Sequence, residues 1–152
     1  ATLIIVGSGP EYNELNNEIS KLGLSESVFI YQNISDKNLS NFYLSSELFV
    51  LANLLLENGD CEGAPNVIVE ASSFGLPVVA GVYGGVSDVV NHTVTGYLVD
   101  TKNIEDISSN VINLLNDEKL MNSMSNNSVN KVRTDHDKNK AGLTFSKIIK
   151  NI

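Results

Sequence analysis

Four short aliphatic runs recur along this chain, and each is followed by a turn and a segment of helical spacing. The runs are Thr2–Val6 (TLIIV), Ser27–Tyr31 (SVFIY), Leu48–Leu51 (LFVL) and Pro77–Ala80 (PVVA). Continuous apolar runs of this length mark strands buried in a parallel sheet. Between them, Glu11–Leu24 carries Leu15, Ile19 and Leu22 at helical spacing, with Gly23 as a stop. Asp36–Ser45 reads as a second helix, with Ser35 as its N-cap and Leu39, Phe42 and Tyr43 apolar. Pro65–Phe74 reads as a third helix, capped by Gly75. A short strand at Tyr97–Val99, an amphipathic helix at Ile104–Leu115 and a polar helical stretch from Asp117 complete the chain. Strand and helix alternate with short connections. The expected fold is therefore α/β, an open parallel sheet with helices on both faces.

Composition narrows the function. The chain has 152 residues, enough for one domain, with 42% hydrophobic and 18% charged residues. A formal charge of −8 argues against nucleic-acid partners and against docking on anionic lipid. It does not exclude a nucleotide, because local backbone amides can outweigh net charge. No apolar run reaches the roughly 20 residues of a membrane span. The single Cys61 cannot form an internal disulfide, which points to a reducing compartment.

In open parallel sheets ligands sit beyond the carboxyl ends of the strands. The polar loop Asn53–Ala64 lies after the third strand, and the most informative stretch, Glu57–Gly85, begins within it. Glu62 and Glu70 are separated by seven residues, with Pro65 suited to the first helical position. The amides of Gly63, Ala64, Asn66 and Val67 then cluster at a helix start, which is an anion site by geometry. Val67, Ala71 and Phe74 form the expected buried stripe of that helix, with Glu70 beside it. A carboxylate at such an edge costs free energy unless something binds it. Most glutamate pairs at this separation are merely solvated. The glycines, the proline and the strand ends that coincide here favour a ligand.

The stretch Glu62–Ala80 resembles glycosyltransferase family 4, the retaining group with the GT-B fold. Its motif, EGxPNVxxEAxxxGxPVVA, is matched at Glu62, Gly63, Pro65, Asn66, Val67, Glu70, Ala71, Gly75, Pro77, Val78, Val79 and Ala80. Weaker matches extend over most of the chain. Gly7-Ser8-Gly9-Pro10 is similar to the family's GxGP turn, Leu22-Gly23-Leu24 with Val28-Phe29 to its helix–strand joint, and Gly84-Gly85 and Gly96–Val99 to its late loop and last strand.

The resemblance implies a Rossmann-like nucleotide-sugar-binding domain, one half of a GT-B enzyme, spanning residues 1–152. It implies Glu70 on the nucleotide ribose. Glu62, in the catalytic position, and the amides after it would hold the transferred sugar and the diphosphate. Gly7 and Gly9 would line the site, and Gln32, Asn33 and Ile34 would lie against the base. It further implies a hexosyltransferase that builds a cell-surface polysaccharide or glycolipid in the cytoplasm or at the inner face of the membrane. An α-linked product from an α-linked donor is implied, with a UDP-linked donor expected and no metal or other cofactor.

Departures from the family pattern stand at Gln32-Asn33, where glycine is common, and at Ala52-Asn53, where PS is common. Asp88 stands where the late loop often has Glu. The family's Gly-Arg and Lys cations and its acceptor domain have no counterpart in this chain. The sequence is therefore expected to continue upstream of Ala1, and an acceptor glycan or lipid-linked sugar is expected to bind outside these residues. The chain alone is expected to lack transferase activity and to bind nucleotide weakly, on the order of 0.1–10 mM. Two other readings are a non-catalytic nucleotide-binding module and a GT-B-fold nucleotide-sugar epimerase. Asp135-His136-Asp137 has a metal-site pattern but sits in a polar stretch, so a solvated face is expected there. Finally, Thr2–Val6 is expected to pair directly with Leu48–Leu51 in a five-stranded sheet, or else to leave an edge covered by a second copy.

Overall fold

The structure is a computed structural model that describes residues 1–55, 61 and 66–135. Along the chain these form β1 (Leu3–Val6), α1 (Tyr12–Lys21), β2 (Val28–Tyr31), α2 (Asp36–Ser45) and β3 (Phe49–Leu51). There follow α3 (Asn66–Ser73), β4 (Val78–Gly81), α4 (Val86–Val89), β5 (Gly96–Val99), α5 (Ile104–Asn116) and α6 (Glu118–Asp135). The chain divides into two compact units, Ala1–Phe42 and Tyr43–Ile152.

In the first unit β1 and β2 pair in parallel, from Leu3 opposite Val28 to Val6 opposite Tyr31. The crossover is α1, which ends where the sequence predicts. Gly23, at φ +68°, sits in the left-handed region. Leu24 N–H donates to the Ile19 carbonyl at 2.9 Å and Gly23 N–H to that of Ser20 at 3.1 Å. These two bonds satisfy carbonyls that the helix end would otherwise leave orphaned.

The second unit holds the core. Its sheet has the order β3-β4-β5, all parallel. Central β4 is buried along its whole length, as a continuous apolar run demands. Side chains alternate across a strand, so β4 feeds two cores. Val78 and Ala80 join Ile68, Val86, Val89 and Val90 on one face. Val79 joins Val99, Leu114 and Met124 on the other. Each Val, Ile, Leu or Met among them contributes about 1.5–3 kcal/mol when fully buried. Gly96 opens β5 because a Cβ there would run into the Val78 backbone. The polar α6 is fastened by two bonds to the loop before β5. Ser128 Oγ donates to the Thr95 carbonyl at 3.0 Å, and Asn127 Nδ2 to that of Val94 at 3.1 Å.

Three expectations are corrected. The strands form two sheets, β1-β2 and β3-β4-β5, and not one sheet in which β1 pairs with β3. Within β1, Leu3 and Val6 are exposed at 49% and 40%. The buried stripe of α3 is Ile68, Ala71 and Ser72, while Val67 and Phe74 are exposed. A short helix, α4, stands where the sequence suggested only a glycine loop.

Candidate functional site

The carboxyl ends of the strands carry the predicted residues. In the first unit, β1 gives way to Gly7 and Gly9. Gly7 N–H donates to the Tyr31 carbonyl at 3.0 Å, and Gly9 accepts from Tyr12 N–H at 3.3 Å. A Cβ at either glycine would meet nothing within 4 Å. Packing among the described residues therefore gives no reason for glycine at these two places. Gln32, Asn33 and Ile34 follow β2, with Gln32 and Asn33 exposed and Asn33 at φ +52°. Ser35 then caps α2 as expected: its Oγ accepts from Asn38 N–H at 3.4 Å. The fold thus gathers these five predicted residues at one end of the two-stranded sheet.

In the second unit, Asn66 and Val67 open α3, both exposed. Their N–H groups are among the four that a helix start leaves without an intrahelical partner. Glu70 follows one turn later. The new stripe of α3 changes its setting. At about 100° per residue, Glu70 lies opposite Ile68, Ala71 and Ser72, and it shares a half-exposed face with Val67 and Phe74. Glu70 is therefore exposed, and no buried edge forces a ligand on it. It nonetheless has a specific neighbour. Tyr43 Oη donates to Glu70 Oε2 at 3.4 Å. Among the described residues Oε1 has no partner. Burial first, and then the Glu70 charge, push the Tyr43 phenol from 10.0 up to about 12. In the sequence Tyr43 stands out only as an apolar helix residue. The signal for more was its hydroxyl, since a buried tyrosine usually finds a partner for it.

Glu62, Gly63, Ala64 and Pro65 lie outside the described residues, as do His136 and Asp137 of the acidic triplet. Among the described residues no group of three or more His, Cys, Asp or Glu side chains could hold a metal ion. No described helix is long and apolar enough to cross a membrane.

The strand ends of the second unit are also linked by Asn53, a position the sequence marked only as a departure from a family pattern. Asn53 is 8% exposed. Its Nδ2 donates to the Tyr83 carbonyl at 3.0 Å, and its own carbonyl accepts from Thr101 Oγ1 at 2.8 Å.

Residues 1–131 match the family model described as glycosyl transferases group 1. The chain belongs to this family. An uncharacterized glycosyltransferase of Haemophilus influenzae is 35% identical over 127 residues, covering 83% of this chain and 34% of that protein. The GDP-mannose-dependent alpha-(1-6)-phosphatidylinositol monomannoside mannosyltransferase of Mycolicibacterium smegmatis is 35% identical over 118 residues. That match covers 77% of this chain and 31% of the relative. The chain thus spans about a third of the length of these curated group 1 relatives.

Solved structures show the same fold. Anabaena HepE in complex with UDP superposes with a TM-score of 0.86 at 22% identity, covering 100% of this chain and 41% of that one. The C-terminal domain of a glycosyl transferase group 1 family protein from Francisella tularensis gives 0.77 at 22% identity, covering 90% of this chain and 70% of that domain. The fold is that of the C-terminal half of GT-B glycosyltransferases.

Proposed function

We propose that this chain is the donor-binding part of a retaining hexosyltransferase that takes a nucleotide-diphosphate sugar and builds a polysaccharide or glycolipid. The observation that carries the reading is Glu70. It is an exposed carboxylate one turn inside α3, held on one oxygen by Tyr43 and with its other oxygen unpartnered among the described residues. A carboxylate so placed can accept bonds from both ribose hydroxyls, and charge-assisted bonds of this kind are the strong ones. The first amides of α3, at Asn66 and Val67, would face the diphosphate. Glu62, Gly63 and Ala64 would hold the transferred sugar and the diphosphate. The family resemblance adds Gly7, Gly9, Gln32, Asn33 and Ile34 of the first unit to the residues proposed to bind the donor.

A UDP-linked donor is supported by the fold match to a protein solved with UDP. A GDP-linked donor is the competing reading, supported by the GDP-mannose-dependent relative. Calorimetric titration with UDP and with GDP separates the two. UDP should bind more tightly, and Glu70→Gln should weaken it by roughly tenfold, the loss of about one charge-assisted bond. If Glu70→Gln binds both nucleotides as the wild type does, Glu70 is not a ribose ligand.

A further inference from the structure

We propose that Tyr43 is a positioning residue for Glu70, holding one carboxylate oxygen through its hydroxyl so that the other stays presented to the ribose of a nucleoside diphosphate. This deepens the proposed function and rests on it.

The geometry is built around the tyrosine ring. Tyr43 is 7% exposed. Its ring stacks on Phe74 with centroids 5.3 Å apart and planes 27° apart, and it meets Phe49 at 6.1 Å and 59°. Phe49 begins β3 and Phe74 directly follows α3. The ring is thus clamped between a strand and a helix, and its direction is set by the core and not by solvent. What emerges from the clamp is the hydroxyl, and the acceptor it meets is Glu70 Oε2. Glu70 lies on α3 and Phe74 just past its end, four residues on, with Phe74 N–H donating to the Glu70 carbonyl at 3.3 Å.

The consequence is a reduced ordering cost. A free glutamate is among the side chains that lose most rotamer freedom when fixed. Binding that must first order such a side chain is weaker than binding to one already ordered. The raised phenol keeps its proton throughout the neutral range, so the hydroxyl remains a donor. At 3.4 Å the bond is long against the roughly 2.5–3.0 Å usual for O–H···O. The carboxylate is steered but keeps some play, as hydrogen bonds in ligand-free sites often do.

The test is a titration of four proteins with two ligands. The proteins are the wild type, Tyr43→Phe, Glu70→Gln and the double variant. The ligands are the nucleoside diphosphate that binds the wild type more tightly, UDP or GDP, and its 2′,3′-dideoxy analogue. Tyr43→Phe keeps the ring clamp, and a thermal melt checks that it folds. Tyr43→Phe should weaken the parent nucleotide by roughly two- to tenfold, the worth of about one hydrogen bond. It should leave the dideoxy analogue unchanged, and it should add nothing on the Glu70→Gln background. Equal weakening of both ligands by Tyr43→Phe would make Tyr43 a structural residue and overturn the inference. So would an unchanged affinity in Tyr43→Phe beside a weakened Glu70→Gln, with the functional reading left standing. If Glu70→Gln matches the wild type, or if the wild type binds neither nucleotide, the functional reading fails and the inference falls with it.

Discussion

Thr101 donates its hydroxyl to the backbone carbonyl of Asn53 at 2.8 Å, and both residues are buried. The bond joins the segment after β5 to the segment after β3. Asn53 also donates from Nδ2 to the Tyr83 carbonyl after β4. One buried side chain and its backbone thus tie together the carboxyl ends of all three strands of the larger sheet. Those ends are where a parallel sheet binds its ligands. Among the described residues Asn53 Oδ1 has no partner.

Thr101→Val should therefore destabilise the protein by about 1–3 kcal/mol, because it strands a buried carbonyl while keeping the side-chain volume. Urea unfolding at constant slope reads the change. A loss below about 0.5 kcal/mol, the range of surface substitutions, would mean that water takes the hydroxyl's place.

Glycines near the strand ends should divide by surroundings. A Cβ at Gly81 would lie 2.6 Å from the Asn53 carbonyl, 2.7 Å from its Oδ1 and 2.9 Å from Thr101 Cγ2. Gly81→Ala should cost about 1–3 kcal/mol by overpacking. Gly9→Ala, with open space around it, should stay within about 0.5 kcal/mol. Should the two variants melt together, the crowding at Asn53 relaxes more readily than its backbone contact implies.

The part of the fold legible in the sequence was the part set by local chemistry. PVVA became β4 because a fully buried strand needs no alternation, and Gly23 ended α1 because only glycine takes its backbone angle without strain. Which strands pair was not legible. TLIIV and LFVL both read as buried strands, and nothing in either run names its partner. The α3 stripe failed for a related reason. Val67, Ala71 and Phe74 have helical spacing, but so do Ile68, Ala71 and Ser72, and tertiary packing chose the second set. At the candidate site the motif pointed to Glu70. It was silent on Tyr43, which reaches Glu70 from 27 residues away.

Helix α5 depends on its cap. Asn103 Oδ1 accepts from Glu105 N–H at 3.0 Å and from Asp106 N–H at 3.2 Å. Asn103→Ala should cost about 1 kcal/mol, whereas Asn103→Asp should cost little, since aspartate caps equally well. Thermal melts of the two single variants check both, and equal losses would show that the amide acts through something other than the cap.

The last prediction concerns alkaline pH. The Tyr43 phenol ionises near 10.0 when unfolded and at about 12 in the fold, raised by burial and then by the Glu70 charge that faces it. The neutral phenol is thus favoured by folding. Its contribution to stability is fully present below the unfolded value and is lost as pH rises from there through the folded value. The wild-type curve sums every group that ionises at alkaline pH, so alone it does not isolate Tyr43. The difference between wild type and Tyr43→Phe does, because the other groups cancel. Plotted against pH, that difference should be flat in the neutral range and should shift toward Tyr43→Phe above about pH 10. Glu70→Gln removes one of the causes of the raised value and should shrink the shift. A difference that stays flat to the alkaline limit of the measurement would show that the phenol is hydrated in the fold and free of the Glu70 carboxylate.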